Sequence, residues 1–410
     1  MRTLVVAELY PWPAVDGYRH RLSQIVGGLA EAGTVDVVGL RRPTSPVPAP
    51  SPWPGVDRTL APEVGAERGV RDWLGEWVRG GPPRRVLSTD WSGPRSELDA
   101  WLAHDYDLIW YSHVHTWWPV HHLFPATPSI VDFDNLENLA LRLRRRSPLR
   151  VEPGAGVTGR ARAAVRWVTS RGFDLVDERR WDALQRQCAA EVDRVVVCSS
   201  LDAERSGVSN VAVIANGSET VPDAITDRRT LAGDRPTLGF VGALDYEPNT
   251  EAVSWFVREV FPIVRDHHPG VRFRVVGRSP GPVEWIRHIA GVDLVGPVDD
   301  VRAELDRTDV SVVPIRVGAG TRLKVVEALA HHLPIVTTSV GCEGIDVVDG
   351  RSALIADDAR SFADACLRLI DDPELRQSLA DAGEQLFLQG YTWLGIRRRV
   401  AELAATVAGV

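Results

Sequence analysis

Lysine is all but missing from this chain. Of its 47 lysine and arginine residues only Lys324 is lysine, within the stretch "VGAGTRLKVVEALAHHLP". A composition that draws every other fixed cation from arginine makes that one position worth explaining. Cysteine is also scarce, and Cys188, Cys198, Cys342 and Cys366 show neither CxxC spacing nor histidines at metal-finger intervals. That pattern speaks against a zinc module and reads as buried thiols in a reducing cytoplasm. No apolar run approaches the roughly 18–20 residues of a membrane span. The opening "MRTLVVAELYPWP" is too short, and too soon interrupted by Glu8, to be a signal peptide, so a cytoplasmic location is expected. The formal net charge of −8 lacks the basic footprint of a general nucleic-acid binder. A small anionic ligand stays open, because a few local cations outweigh the mean.

What is present is a repeated α/β rhythm. "RTLVVAEL" is a β-branched run, "YPWPAVDGY" a loop, "RHRLSQIVGGLAEAG" a helix ending at Gly33 and "TVDVVGL" a second strand. β-loop-α-β order implies a parallel sheet covered by helices. Residues 41–65 are proline-rich and are expected to be irregular. The rhythm resumes at "DLIWYSH", "PSIVDFDNL" and "RVVVCSS", breaks over 217–236, and returns in "TLGFVGAL", "TEAVSWFVREVFPIVRDHH", "VRFRVVG", "VDLVGPV", "DVSVVPI", "PIVTTSV" and "SALIADD". Two successive α/β domains follow: residues 1–218, joined by the C-terminal helix 392–410, and residues 219–391. Ligands of open α/β sheets bind beyond the carboxyl ends of the strands.

Lys324 sits after such a strand. "DVSVVPI" is followed by the glycine-rich "RVGAG" and by a helix for which Thr321 is a plausible N-cap. The first helical turn exposes backbone N–H groups and the positive end of the helix dipole, which suits an anion. Arg322 and Lys324 add cations where cations cost about 0.3–1 kcal/mol, so a bound anion is expected to repay them. Glu327, three residues on, shares a face with Lys324; the bland reading is a surface ion pair of about 0.2–0.5 kcal/mol. GxxxxGK[ST] is absent, which removes a Walker A loop.

The run "VGAGTRLKVVEALAHHLPIVTTSVGCEGI" resembles the C-terminal signature of the retaining GT4 glycosyltransferases, whose fold is GT-B. "AELYPWPAVDGYRHR", "VVVCSSLDAERSG", "VIANGSE", "FVGALDYEPNTEAVSWFVREVFP" and "LVGPVDDV" resemble further segments of that family, in the same order. The resemblance implies two Rossmann-like domains with parallel sheets facing a central cleft. It also implies transfer of a sugar from a nucleotide-diphosphate donor, UDP-sugar favoured, to a hydroxyl of a natural-product, glycolipid or polysaccharide acceptor.

By position in the family, Arg322 and Lys324 would neutralise the diphosphate, helped by Gly318, Gly320 and Thr321. Glu327 would hold the ribose, Val298 would face the base, and Gly242, Glu343 and Gly344 would complete the donor site. Gly17 would let the diphosphate approach, with Arg19 beside it. His113 would reach the sugar and the reaction centre, with His115 as the alternative. Asp132, His115 and Trp117 would face the acceptor. No cofactor and no metal are implied, and partners beyond donor and acceptor reduce to at most peripheral membrane contact, without nucleic acid. Two departures stand out: Ala319 occupies the place of the first glutamate of the E-x7-E motif, and Ala243 that of a frequent arginine.

Two other readings stay open: a nucleotide-sugar epimerase or hydrolase on the same fold, and a catalytically silent nucleotide-sugar-binding subunit. The basic segment "LRLRRRSPLRVEPGAGVTGRARAAVRW" could face anionic lipid or an anionic acceptor, or be a solvated arginine-rich helix.

Overall fold

A computed structural model describes all residues except 44, 65, 66, 103, 147–155, 222, 223, 232, 234, 319 and 321. The chain divides into two compact units, Met1–Ala215 with Ile396–Val410, and Asn216–Gly395. The first is built on a parallel sheet of β1 (Arg2–Ala7), β2 (Thr34–Gly39), β3 (Val56–Leu60), β4 (Leu108–Tyr111), β5 (Ser129–Phe133), β6 (Arg194–Val197) and β7 (Val211–Val213). Their order is β3-β2-β1-β4-β5-β6-β7. The second holds β8 (Thr237–Val241), β9 (Arg272–Val276), β10 (Val292–Gly296), β11 (Val310–Val313), β12 (Ile335–Thr337) and β13 (Leu354–Ile355), ordered β10-β9-β8-β11-β12-β13.

Strands buried on both faces explain the apolar runs. β4, β5 and β11 are buried at every residue, as helices on both sides of a parallel sheet require. β3 departs from expectation. It lies in the proline-rich stretch expected to be irregular, yet pairs in parallel with β2. Its residues alternate between half-buried and exposed, so an edge position hid it from a search for apolar runs. The expected continuous helix after β8 is interrupted by a π turn, Phe256–Val260, before Phe261–His267. Pro262 supplies the reason: it has no N–H to donate, and its ring would crowd the carbonyl four residues back.

Unit 1 is pinned by a buried ion pair. Arg21, on the helix Gly17–Ala32, donates Nε and Nη2 to the two oxygens of Asp132 on β5, each at 3.0 Å. Nη1 donates to the carbonyls of Ile214 and Ala215 at 3.1 and 3.2 Å. One guanidinium therefore joins a helix, a central strand and the end of the unit. Arg21→Ala is expected to cost about 3–5 kcal/mol in urea unfolding, because Asp132 is left buried and unpaired. The paired change Arg21→Met with Asp132→Leu should recover most of it; a loss under about 1 kcal/mol for the single change would deny the pair its structural role.

Candidate functional site

Both sheets reverse strand order once: between β1 and β4 in the first unit, and between β8 and β11 in the second. Chain segments diverge beyond the carboxyl ends at such points, leaving a crevice. Each unit places a polar cluster there.

In the second unit, the turn after β8 and the loop after β11 emerge side by side because β8 and β11 are hydrogen-bonded neighbours. Lys324, second residue of the helix Leu323–Ala330, runs back beneath the β8 turn. A Cβ on Gly242 would stand 2.5 Å from its Nζ and 2.9 Å from Nδ2 of Asn249, so only glycine lets the ammonium in. Asn249 in turn donates to the carbonyl of Ala243 at 2.7 Å, bracing the turn. Lys324 Nζ lies 5.4 Å from the centre of the Phe240 ring.

No carboxylate lies within ion-pair distance of Lys324 among the described residues, so the surface-pair reading with Glu327 is not what the structure shows. The ammonium is half-buried, and burial first, with Arg322 adding to it against the pull of Glu327, lowers its pKa to about 8. Burial likewise raises the Glu327 carboxyl, which Lys324 opposes. These two groups sense each other without being paired.

Arg322 is the N-cap of this helix, with no side-chain cap of its own. Its Nε donates to the Val340 carbonyl and Nη2 to that of Gly318, both at 2.9 Å. It thus braces the glycine loop against the loop after β12, and its charge still bears on Lys324. Gly318 and Gly320 take φ of 132° and 86°, conformations that suit glycine and keep the chain out of the helix until Arg322. Thr321, expected as the N-cap, and Ala319 lie outside the described residues. Val298 is half-exposed in the loop after β10; Glu343 and Gly344 sit half-buried after β12, Gly344 with φ of 79°.

In the first unit, Glu8 follows β1 and Ser112 and His113 follow β4. Arg85 Nη2 donates to both Glu8 oxygens at 3.0 Å, and Arg42 Nη2 adds a contact at 3.3 Å. His115 Nε2 lies 3.0 Å from Oε2. Burial opposes ionisation of Glu8, but His115 and Arg85 outweigh it and hold the carboxyl well below its usual range. Tyr18 Oη and Ser112 Oγ, 2.7 Å apart, both accept from the Glu8 backbone N–H. The His113 ring is stacked between Tyr18, 5.2 Å away, and His115, 4.9 Å away. Burial lowers the pKa of both imidazoles, with His115 adding to the effect on His113 and Glu8 opposing it on both.

Other expected residues have structural work. Arg19 is not solvated: its Nε donates to the Tyr10 carbonyl at 3.1 Å and its guanidinium also meets Asp16, the N-cap of its helix. Gly17, beside it, is the exposed first residue of that helix. Asp132 spends both oxygens on Arg21, and Trp117 is 1% exposed and stacked on His121 inside the core. Neither offers the acceptor face expected of it. Sequence reading passed over Glu8, Arg42, Arg85, Tyr18, Ser112 and Asn249. For Glu8 a signal existed, a carboxylate at the end of the first parallel strand; for Arg85 there was none. Among the described residues no group of three or more His, Cys, Asp or Glu could hold a metal ion.

Residues 235–372 match the family model described as Glycosyl transferases group 1. Glycogen synthase of Mycobacterium tuberculosis is 26% identical over 243 residues, covering 55% of this chain and 57% of that protein. The chain thus spans about half the length of the curated relatives it matches. Sucrose-phosphate synthase of Thermosynechococcus elongatus superimposes with a TM-score of 0.68 at 17% identity, covering 100% of both chains. Anabaena HepE in complex with UDP and glucose gives 0.58 at 14%, covering 99% and 100%. At such identities the likeness is one of fold: two Rossmann-like α/β units of the GT-B type.

The depressed pKa of Lys324 generates a prediction about stability. A lysine whose folded pKa is about 8 against an ordinary 10.5 disfavours the folded state wherever it is charged in both states, below about 8. Lys324→Met should therefore raise stability by about 1–3 kcal/mol near neutral pH, with the gain shrinking as pH climbs toward the ordinary lysine value. Urea midpoints of the two proteins across that range read it, and a destabilised variant at neutral pH would refute it.

Proposed function

We propose, from a group 1 glycosyl transferases domain at residues 235–372 carried on a GT-B fold, that this chain is a GT4-type retaining glycosyltransferase using a nucleotide-diphosphate sugar. The observation that carries the reading is Lys324: a half-buried ammonium without a carboxylate partner among the described residues, admitted by Gly242 at the start of a helix. A donor diphosphate there meets the ammonium, the helix N-terminus and the charge of Arg322. Glu327, one turn along the same face, is placed for ribose hydroxyls.

The hard step in glycosyl transfer is departure of the nucleoside diphosphate. The bond between the anomeric carbon and phosphate oxygen breaks while the acceptor oxygen bonds to that carbon from the same face. The acceptor's hydroxyl proton passes to the departing phosphate, so the products are glycoside and nucleoside diphosphate. Lys324 stabilises the negative charge that grows on the leaving oxygen, which lowers the barrier as well as holding the donor. Lysine suits this as a compact point charge on a mobile group. His113, stacked against Tyr18 and against the His115 that meets Glu8, serves as a contact for the sugar. A UDP-sugar is favoured by the Anabaena neighbour solved with UDP and glucose. The reaction needs no metal in this reading.

Calorimetric titration with UDP, dTDP, GDP and ADP tests it. One nucleotide should bind equally well in EDTA and lose about tenfold or more with Lys324→Ala, a loss of about 1.4 kcal/mol. Unchanged affinity in that variant, or binding abolished by EDTA, would sink the assignment.

A second readout concerns protons. Diphosphate beside Lys324 raises its pKa from about 8, so binding near that pH should take up protons, and affinity should fall as pH rises through it. UDP is fully ionised there and releases none. Binding enthalpies in buffers of different ionisation heat measure the uptake; no dependence on buffer would contradict the role of this ammonium.

A further inference from the structure

The helix Val157–Glu191 is 35 residues long, and its two halves differ in charge. In the later half Asp174, Asp177 and Glu178 pair with Arg84, Arg142, Arg144 and Arg145. Residues 158–173 contain Arg160, Arg162, Arg166 and Arg171 and no acidic residue, in a chain whose net charge is −8. Along the helix, Ala161, Val165, Val168, Gly172 and Leu175 recur at intervals of three and four and are all exposed. That spacing puts them on one face of the helix. Val165 is 64% exposed, Val168 61% and Leu175 41%, whereas β-branched residues and leucine ordinarily seek the interior. Arg162 and Arg166, also exposed, flank the stripe on one side. None of the residues placed around Lys324 or Glu8 lies on this face. The preceding residues 147–155 of the basic segment lie outside the described residues.

We infer that this face docks on an anionic lipid surface. The helix lies in the interfacial plane, with Val165, Val168 and Leu175 turned to the acyl boundary and Arg162 and Arg166 on headgroup phosphates. From Ala161 to Leu175 the stripe runs about 21 Å, and no described helix is long and apolar enough to cross a membrane, so the chemistry is that of lying on a bilayer. Charge selects the occupant. A second copy would set these arginines against themselves, and a nucleic acid would meet aliphatic side chains with no ring to stack on. The nearby Trp167 is taken up by the Arg171 guanidinium, 3.2 Å from its ring centre. This inference stands apart from the donor-site reading, since it uses none of those residues.

Co-sedimentation with vesicles tests it. The full chain should bind phosphatidylcholine vesicles containing phosphatidylglycerol and not vesicles of phosphatidylcholine alone, and high salt should weaken the binding. Val165→Glu with Val168→Glu, and separately Arg162→Glu with Arg166→Glu, should each reduce it about tenfold or more, leaving the thermal midpoint and nucleotide titration unchanged. Absence of binding to the anionic vesicles would overturn the inference. So would equal binding by both variants, or a self-association in sedimentation velocity that the same substitutions abolish.

Discussion

The second unit is organised around one close approach, the Lys324 ammonium against the Cα of Gly242. It exists because β8 and β11 are neighbours although two strands intervene between them in sequence. That crossover makes the turn after β8 and the helix after β11 leave the sheet together. A side chain at position 242 would close the gap, and a different strand order would open it too far. The first unit repeats the logic with different chemistry: β1 and β4 are neighbours, and the residues that follow them, Glu8 with Ser112 and His113, meet across the same kind of reversal.

The two clusters are electrostatically unlike. Around Lys324 burial disfavours the positive charge, with no compensating ion pair among the described residues, and the surrounding fold bears that cost. Around Glu8 a buried carboxylate is satisfied by Arg85 and Arg42, while burial lowers the pKa of the two imidazoles beside it. One site is left short of negative charge; the other is already balanced. An anion suits the first, and neutral hydroxyl groups are compatible with the second.

The near-exclusive use of arginine has a structural counterpart. Arg228 donates to the carbonyls of His331, His332 and Thr308, and Arg376 to those of Leu369, Ile370, Arg228 and Arg229. Arg21 and Arg322 likewise fasten separate segments through carbonyls. A planar guanidinium with five donors can serve several acceptors at once; an ammonium cannot match that fan. Lysine survives where a single mobile point charge is wanted.

The amino-acid sequence by itself determined the α/β alternation and the strands β1, β2, β4, β5, β6 and β8 to β13, because strands buried on both faces must be written as apolar runs. It also marked Lys324, Arg322 and the glycine turn, whose significance is local: a few residues between a strand and a helix. Tertiary structure alone decided what those residues touch. Nothing near position 85 announces that Arg85 will grip Glu8, and nothing near position 21 that Arg21 will spend itself on Asp132, since each contact joins residues far apart in the chain. The same holds for β3, whose partner β2 defines it when its own pattern does not, and for Trp117, drawn into the core that its neighbours build. Periodicity reports which face of an element is buried; only packing reports what it is buried against.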